Sequence, residues 1–461
     1  MKKSSDENNS SETARSAGLI GTWPIAILLI LAAIFLVLEV KTKPPEGRDD
    51  LVDWIKLFTP QVFVYVFGVL LVTWCKFDMR RAVLIIVVSA AIFRIVLVPQ
   101  FPSQLSSDIF RYVWDGRVQM AGINPYRYIP SDEHLSFLQS DPVYPGINRR
   151  DYAHTIYPPA AQMIFLSVCA IWPSVTGMKA AMVLLDLLTI LLLIKLLRRL
   201  GMNPALVLIY AWHPLIIWEF AQSGHLDAAV ITLVVAAHWA RLNNRNVWTG
   251  ILLGLATITK FQPIILFPSL WRKWDWKMPV ALTLTVIAGY IPYIKVGWKV
   301  FGFLPSYFSE EGFINGSRFY ILNRAQQFLA FPSWAFLLLA AALMGSLALS
   351  FVLLKESSSV AFLKRSLAIV SSWTLIISPV HAWYGCWMIP FLCFTPWVGL
   401  IYYSCSLAYT HLFWLGEVWP WLPSRIWDWQ YRITFLLLII QAAYVTVKRS
   451  RKTGGTAKLL K

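Results

Sequence analysis

The sequence is poor in the features that build soluble enzymes. Charged side chains make up only 14% of its 461 residues. Cys75, Cys169, Cys386, Cys393 and Cys405 lie in or beside apolar runs without ligand-like spacing. That excludes both a disulfide framework and a zinc site. Alternating apolar and polar segments are missing, which excludes a transmembrane barrel. There is no Gly-rich phosphate loop and no Asp-x-Asp pair to chelate a nucleotide's metal ion. Internal repeats and a soluble domain of any size are lacking too.

What remains is strongly apolar: 57% of residues are hydrophobic and the mean hydropathy is +0.58. Many apolar runs approach the ~20 residues needed to span a bilayer. Lipid leaves no backbone group unpaired, so those runs are helices. The expectation is an all-α polytopic membrane protein with about 11 to 14 crossings. Residues 1–18, MKKSSDENNSSETARSAG, read as a polar cytoplasmic tail, and Leu19–Val40 as a retained first helix. The membrane domain is expected over 19–447, with the basic stretch 448–461 as a second cytoplasmic tail. The net charge of +17 does not point to nucleic acid. Lys and Arg gather at helix ends, as the positive-inside rule requires, and membrane lipids are the expected surroundings.

Placing Lys2, Lys3 and Arg15 inside puts the next basic cluster, Lys76–Arg81, inside as well. The long stretch that follows, about 99–159, then lies outside. Further inside clusters are Lys195/Arg198/Arg199, Arg241/Arg245, Arg272/Lys273/Lys277 and Lys355/Lys364/Arg365. The alternation leaves open whether Ala160–Trp172 crosses or re-enters. The 23 Trp fit interfacial belts, densest in WPWLPSRIWDW at Trp419–Trp429. Five polar islands share the outer face: the first loop, SGHLD (Ser223–Asp227), TKFQP (Thr259–Pro263), INGSRFYILNR (Ile314–Arg324) and SPVHAWYGCW (Ser378–Trp387). Ionisable groups at membrane depth are costly and mark function by default.

The first loop holds Asp108 just beyond a membrane helix. Ser106 and Ser107 are good N-caps for a short helix ending near Met120, and Asp108 suits its positive end. On that helix Asp108, Arg111, Tyr112, Asp115 and Gln119 share one face, with Ile109, Val113 and Met120 on the other. The pattern predicts a helix lying along the membrane surface with its polar face to a cavity. Local grounds divide evenly between Asp108 as cap and Asp108 as catalyst, and Arg111 with Asp115 has the spacing of an ordinary helical ion pair.

The strings SSDIFRYVWDG, GINPYRY, TIYPP, WHPLIIWEFAQSGHLDA and VHAWYGCWMIP, in that order, resemble membrane glycosyltransferases of the GT-C superfamily. The nearest resemblance is to bacterial polyprenyl-phosphate-mannose-dependent mannosyltransferases, including mycobacterial α-1,6-mannosyltransferases. It covers roughly Ser106–Pro390. It implies a GT-C-like bundle in the inner membrane, with the active site on the periplasmic or extracellular face. The implied reaction moves a hexose, by this resemblance mannose, from a polyprenyl-phosphate donor to the hydroxyl of a lipid or glycan acceptor, with inversion. It also implies Asp108 as general base, being the first acidic residue of the first large outer loop. No cofactor or metal is expected.

Around that base, Asp115 and Tyr112 are expected to support the loop. Arg111, Lys260, Arg318 and His381 are candidates to hold the donor phosphate, which calls for cationic donors. Lys260 also has the option of snorkelling, and Arg117 of meeting lipid headgroups. His225, Asp227, Trp383 and Tyr384 are candidates for sugar or acceptor contacts; His225 and Asp227 could instead form an Asp–His pair. The alternative reading is a polytopic lipid or sugar transporter or flippase. Such a protein places its charges near mid-membrane in two corresponding halves, and here they sit at one face.

Overall fold

The computed structural model describes residues 23–458 except 77, 103, 104, 355 and 357, with side chains described as far as Lys448. The polar tail 1–18, with Lys2, Lys3 and Arg15, and the start of the first predicted helix lie outside the described residues, as does Lys355. Among the described residues every regular element is helical and there is no strand.

The first three long helices are α1 (Trp23–Lys41), α2 (Asp50–Trp74) and α3 (Met79–Leu97). Asp78 starts α3 by accepting from the amides of Arg80 and Arg81, occupying donors that a helix start leaves unpaired. The loop helix α4 (Asp108–Met120) packs on α5 (Pro159–Ile171), and α6 (Val175–Arg199) follows. Next come α7 (Asp227–Leu242), α8 (Asn246–Thr257) and α9 (Lys277–Tyr290), then α10 (Leu304–Glu310) and α11 (Tyr320–Gln326). The chain closes with α12 (Ser333–Leu353), α13 (Ala361–Ile377), α14 (Val398–Ser406) and α15 (Leu422–Lys458).

Six stretches among the described residues are long and apolar enough to cross a bilayer, or seven if one pair bent by 61° counts as a span. This is fewer than the expected 11 to 14: α3 carries Arg80, Arg81 and Arg94, α7 and α13 have 16 and 17 residues, and proline breaks other apolar runs. Pro204, Pro214, Pro263, Pro268 and Pro390 each stand in the first turn of a short helix, where the missing amide costs nothing. Apolar runs that read as crossings are thereby cut into short pieces. The bent pair, Pro204–Ala211 with Pro214–Gln222, is one of them and ends in a π-helical turn at Trp218–Gln222. Helix α5 has 13 residues, about 20 Å at 1.5 Å per residue, too short for a ~30 Å hydrocarbon core.

Packing between helices relies on close approach, the usual device where lipid supplies no hydrophobic drive. Gly250 and Gly254, four apart on α8, face α9; a Cβ at Gly250 would lie 2.2 Å from the Met278 carbonyl oxygen. On α4, a Cβ at Gly116 would lie 2.5 Å from Cys169 Sγ. Deep in the bundle Arg94 of α3 pairs with Asp186 of α6, which also accepts from the Tyr210 hydroxyl. In contrast, α12 buries no residue at all, as expected for an apolar helix facing lipid.

Candidate active site

The first loop, the turn after α8, the start of α10 and the segment 381–384 enclose a cavity of about 1130 Å³. Asp108 stands on its wall as the first residue of α4. Its amide donates to Ser106 Oγ at 3.3 Å, while Ser107, the N-cap by position, makes no side-chain cap bond. One carboxylate oxygen, Oδ1, accepts from Asn148 Nδ2 at 2.8 Å. The other lies 3.9 Å from His225 Nδ1, and the side chain keeps 21% exposure toward the cavity.

Asn148 is delivered by a strained turn: the next residue, Arg149, has a φ of 51°, a region L-residues rarely occupy. Arg149 donates from Nε to Glu310 Oε1 at 2.6 Å and from Nη2 to Glu311 Oε1 at 3.2 Å. This ties the first loop to the end of α10.

Helix α4 differs from the expected surface helix. It is packed on both sides: Ile109, Val113 and Trp114 are buried, and so are Arg111, Tyr112 and Asp115 on the other face. Tyr112 stacks on Phe165 at 4.7 Å and meets Tyr157 edge-on. It is enclosed by its neighbours rather than presented to the cavity. Asp115 accepts from Arg111 Nε at 3.0 Å, from Gln162 Nε2 at 2.9 Å and from the Thr155 hydroxyl. Arg111 reaches the cavity wall, but its guanidinium is also shared with the Ala153 carbonyl oxygen. Both faces of α4 are covered because α5 and the 144–158 segment fold over it.

Lys260 lies on the wall, with Nζ 2.6 Å from Asp227 Oδ2 and 5.6 Å from the centre of the Tyr384 ring. Asp227 is fully buried and its other oxygen accepts from Trp387 Nε1 at 2.7 Å. It holds Lys260 in place and is not part of the wall. His225 is likewise fully buried behind Asp108 and Trp383. Direct contact of His225 or Asp227 with a sugar does not fit those positions. Trp383 and Tyr384 do line the cavity, and the Tyr384 and Tyr307 hydroxyls are 2.8 Å apart.

Arg318 is buried, donating from Nη1 to Glu311 Oε2 at 2.7 Å and packing over the Phe313 ring. It is not part of the cavity wall and stands behind Glu311 and Tyr384, whose ring centre is 5.7 Å from its guanidinium carbon. His381, on the wall, has Nε2 3.6 Å from the same Glu311 oxygen. Burial opposes ionisation of Glu311, yet His381 and Arg318 together hold its carboxyl down to about 2. Among the described residues no group of three or more His, Cys, Asp or Glu could hold a metal ion.

Sequence reasoning missed Asn148, Arg149, Tyr307, Glu311 and the buried Glu219. Glu219 carried a signal, an acid inside the apolar string WHPLIIWEF, whereas Asn148 had none before the loop was folded back onto Asp108.

The fold and the cavity define a helical membrane protein whose first-loop carboxylate and ordered cations line one polar cavity. The family model described as alpha-(1->6)-mannopyranosyltransferase, N-terminal domain, of the MptA/B family, matches residues 15–274, more than half of the chain. The protein belongs to that family, and membership makes it a glycosyltransferase. No curated protein and no solved structure matches the chain.

Proposed function

We propose that the protein transfers mannose from a polyprenyl-phosphate donor to an acceptor hydroxyl of a lipid or glycan, with inversion, on the non-cytoplasmic face. Asp108 acts as general base. The carrying observation is the state of its carboxylate: alone among the acids singled out on α4 and α7, it faces the cavity without a Lys or Arg partner. Asp115 and Asp227 are saturated by Arg111 and Lys260. An ionised carboxylate free to accept a proton can deprotonate the acceptor as an oxocarbenium-like centre develops.

Lys260 is the first candidate for the donor phosphate, since an ammonium has three donors and Asp227 occupies one. His381 borders the same space. Phosphate on a prenyl chain is a good leaving group, so the site needs cationic stabilisation more than a protein acid. The cavity, at about 1130 Å³, exceeds the usual ~300–1,000 Å³ of ligand pockets, room for a lipid-linked sugar beside an acceptor. The outer-face assignment rests on the basic clusters around the first loop.

The test is transfer from radiolabelled polyprenyl-phosphate-mannose in membranes, wild type against Asp108→Asn, with GDP-mannose as comparison donor. Loss on the order of 10² or more in the variant, with the lipid-linked donor alone used, is the expected result. Near-normal transfer by the variant removes Asp108 as base, and direct use of GDP-mannose removes the lipid donor.

A further inference from the structure

Behind Asp108 runs a second set of titratable groups that the scheme above leaves unused. His225 Nδ1 is 3.9 Å from Asp108 Oδ2, and its Nε2 is 3.3 Å from Glu219 Oε2. The other Glu219 oxygen, Oε1, lies 2.9 Å from His411 Nε2. All three residues behind Asp108 are buried, Glu219 and His225 almost completely. Glu219 sits in the π-helical turn Trp218–Gln222, a type of distortion frequent at functional sites. Trp383 stacks on the His225 ring at 4.0 Å and 27° and so fixes its plane.

The proton positions follow from what a buried carboxylate demands. Glu219 needs hydrogen-bond donors where water does not reach. The two imidazoles facing its two oxygens supply them through their Nε2–H groups. A proton on His225 Nε2 leaves Nδ1 of the neutral ring as a lone pair, since one nitrogen's partner sets the other's state. That lone pair faces Asp108. Neither His225 nitrogen nor Glu219 Oε2 makes a well-formed hydrogen bond, and such bonds often tighten only when substrate is bound.

We infer that His225, held by Glu219 and His411, is a positioning residue whose Nδ1 accepts a hydrogen bond from the Asp108 carboxyl once Asp108 has taken the acceptor's proton. The inference rests on the reading of Asp108 as general base. In the step itself, the acceptor oxygen forms its bond to C1 while its proton passes to Asp108 Oδ2. The C1–O bond to phosphate breaks, with its electron pair going to the phosphate oxygen. With Asp108 ionised, lone pairs of Oδ2 and Nδ1 face each other and no bond forms between them. With Asp108 protonated, the same pair becomes O–H···N. An interaction gained only along the reaction coordinate raises kcat rather than tightening ground-state binding.

The experiment measures kcat and KM for radiolabelled polyprenyl-phosphate-mannose with the full-length protein in membranes. His225→Ala and Glu219→Gln are each placed in the wild-type and the Asp108→Asn backgrounds. In the wild-type background each is expected to lower kcat roughly 2- to 10-fold, what one neutral hydrogen bond supplies, with KM left essentially unchanged. In the Asp108→Asn background neither is expected to lower the residual rate further, because both act through the same carboxyl. Unchanged kcat, a change confined to KM, or a further multiplicative fall without Asp108 each overturns the role of His225. Full activity of Asp108→Asn alone overturns the underlying general-base reading, a separate outcome. If His225→Ala does not fold, Glu219→Gln, which keeps the volume and removes the charge, decides by the same criteria.

Discussion

Two carboxylates lie two turns apart on one helix and live in opposite surroundings. Asp108, at the open end of α4, holds a neutral amide on one oxygen and looks into the cavity. Asp115, in the closed middle, has Arg111, Thr155 and Gln162 on its two oxygens and no exposure worth the name. The same residue type is thus left open to the cavity at one end and locked into the packing at the other. Position along the helix alone does not sort them. What sorts them is how far α5 and the 144–158 segment extend over α4, since a carboxylate sealed from water must be paired to remain charged.

The contrast can be broken most severely at its structural half. Asp115→Ala leaves Arg111 charged and buried without its partner, which should cost about 3–5 kcal/mol. A large drop in the thermal unfolding midpoint in detergent is the signature; an unchanged midpoint would mean that Ala153 alone satisfies Arg111. Asp108→Asn attacks the other half. It should leave the midpoint nearly unaltered while reducing mannosyl transfer on the order of 10² or more, and similar losses of stability at both positions would erase the distinction. Asn148→Ala sharpens the picture with a smaller effect, since it removes one neutral donor from Asp108, worth about 1 kcal/mol or roughly fivefold in rate. A fall in stability instead of rate would make Asn148 a loop fastener.

The smallest expected effect is one of pH, at the rim of the cavity. The folded Glu311 carboxyl ionises at about 2, below its ordinary 4.5, despite partial burial, because His381 and Arg318 favour its charge. A depressed carboxylate contributes stability fully above its unfolded value and loses it as pH falls through its folded one. Protection of the 311–319 loop from proteolysis should therefore hold above pH 4.5 and decline only toward about 2. In Glu311→Gln the pH dependence should vanish; a loop equally sensitive in both proteins would place the titration elsewhere.

Much of this was legible in the sequence, for reasons that differ by element. Helices and membrane were dictated by hydropathy, whereas local pattern left Asp108 divided between cap and catalyst and the family resemblance singled it out. Lys260, His381, Trp383 and Tyr384 came from short islands that the fold does bring to one cavity. Arg318, His225 and Asp227 were also picked from those islands, yet each stops one layer behind the wall. The period of a helix tells which residues share a face, and nothing in it tells whether a later segment will cover that face. The expected split of α4 into a cavity side and a membrane side failed on this point. Fewer described helices than expected are long and apolar enough to cross, because several apolar runs are short, charged or broken at proline.

The sequence by itself determined an all-helical, membrane-embedded chain, since apolar runs in lipid have no other way to pair their backbone. It also fixed the resemblance that led to a mannosyltransferase family. Tertiary structure decided which distant charged groups are spent on one another and which are left facing the cavity. Those pairs join residues far apart in the chain, Lys260 with Asp227 and Arg149 with Glu311 among them. Charge pairing acts through space over a few ångströms, so a local pattern records it only within a helix turn, as for Arg111 with Asp115.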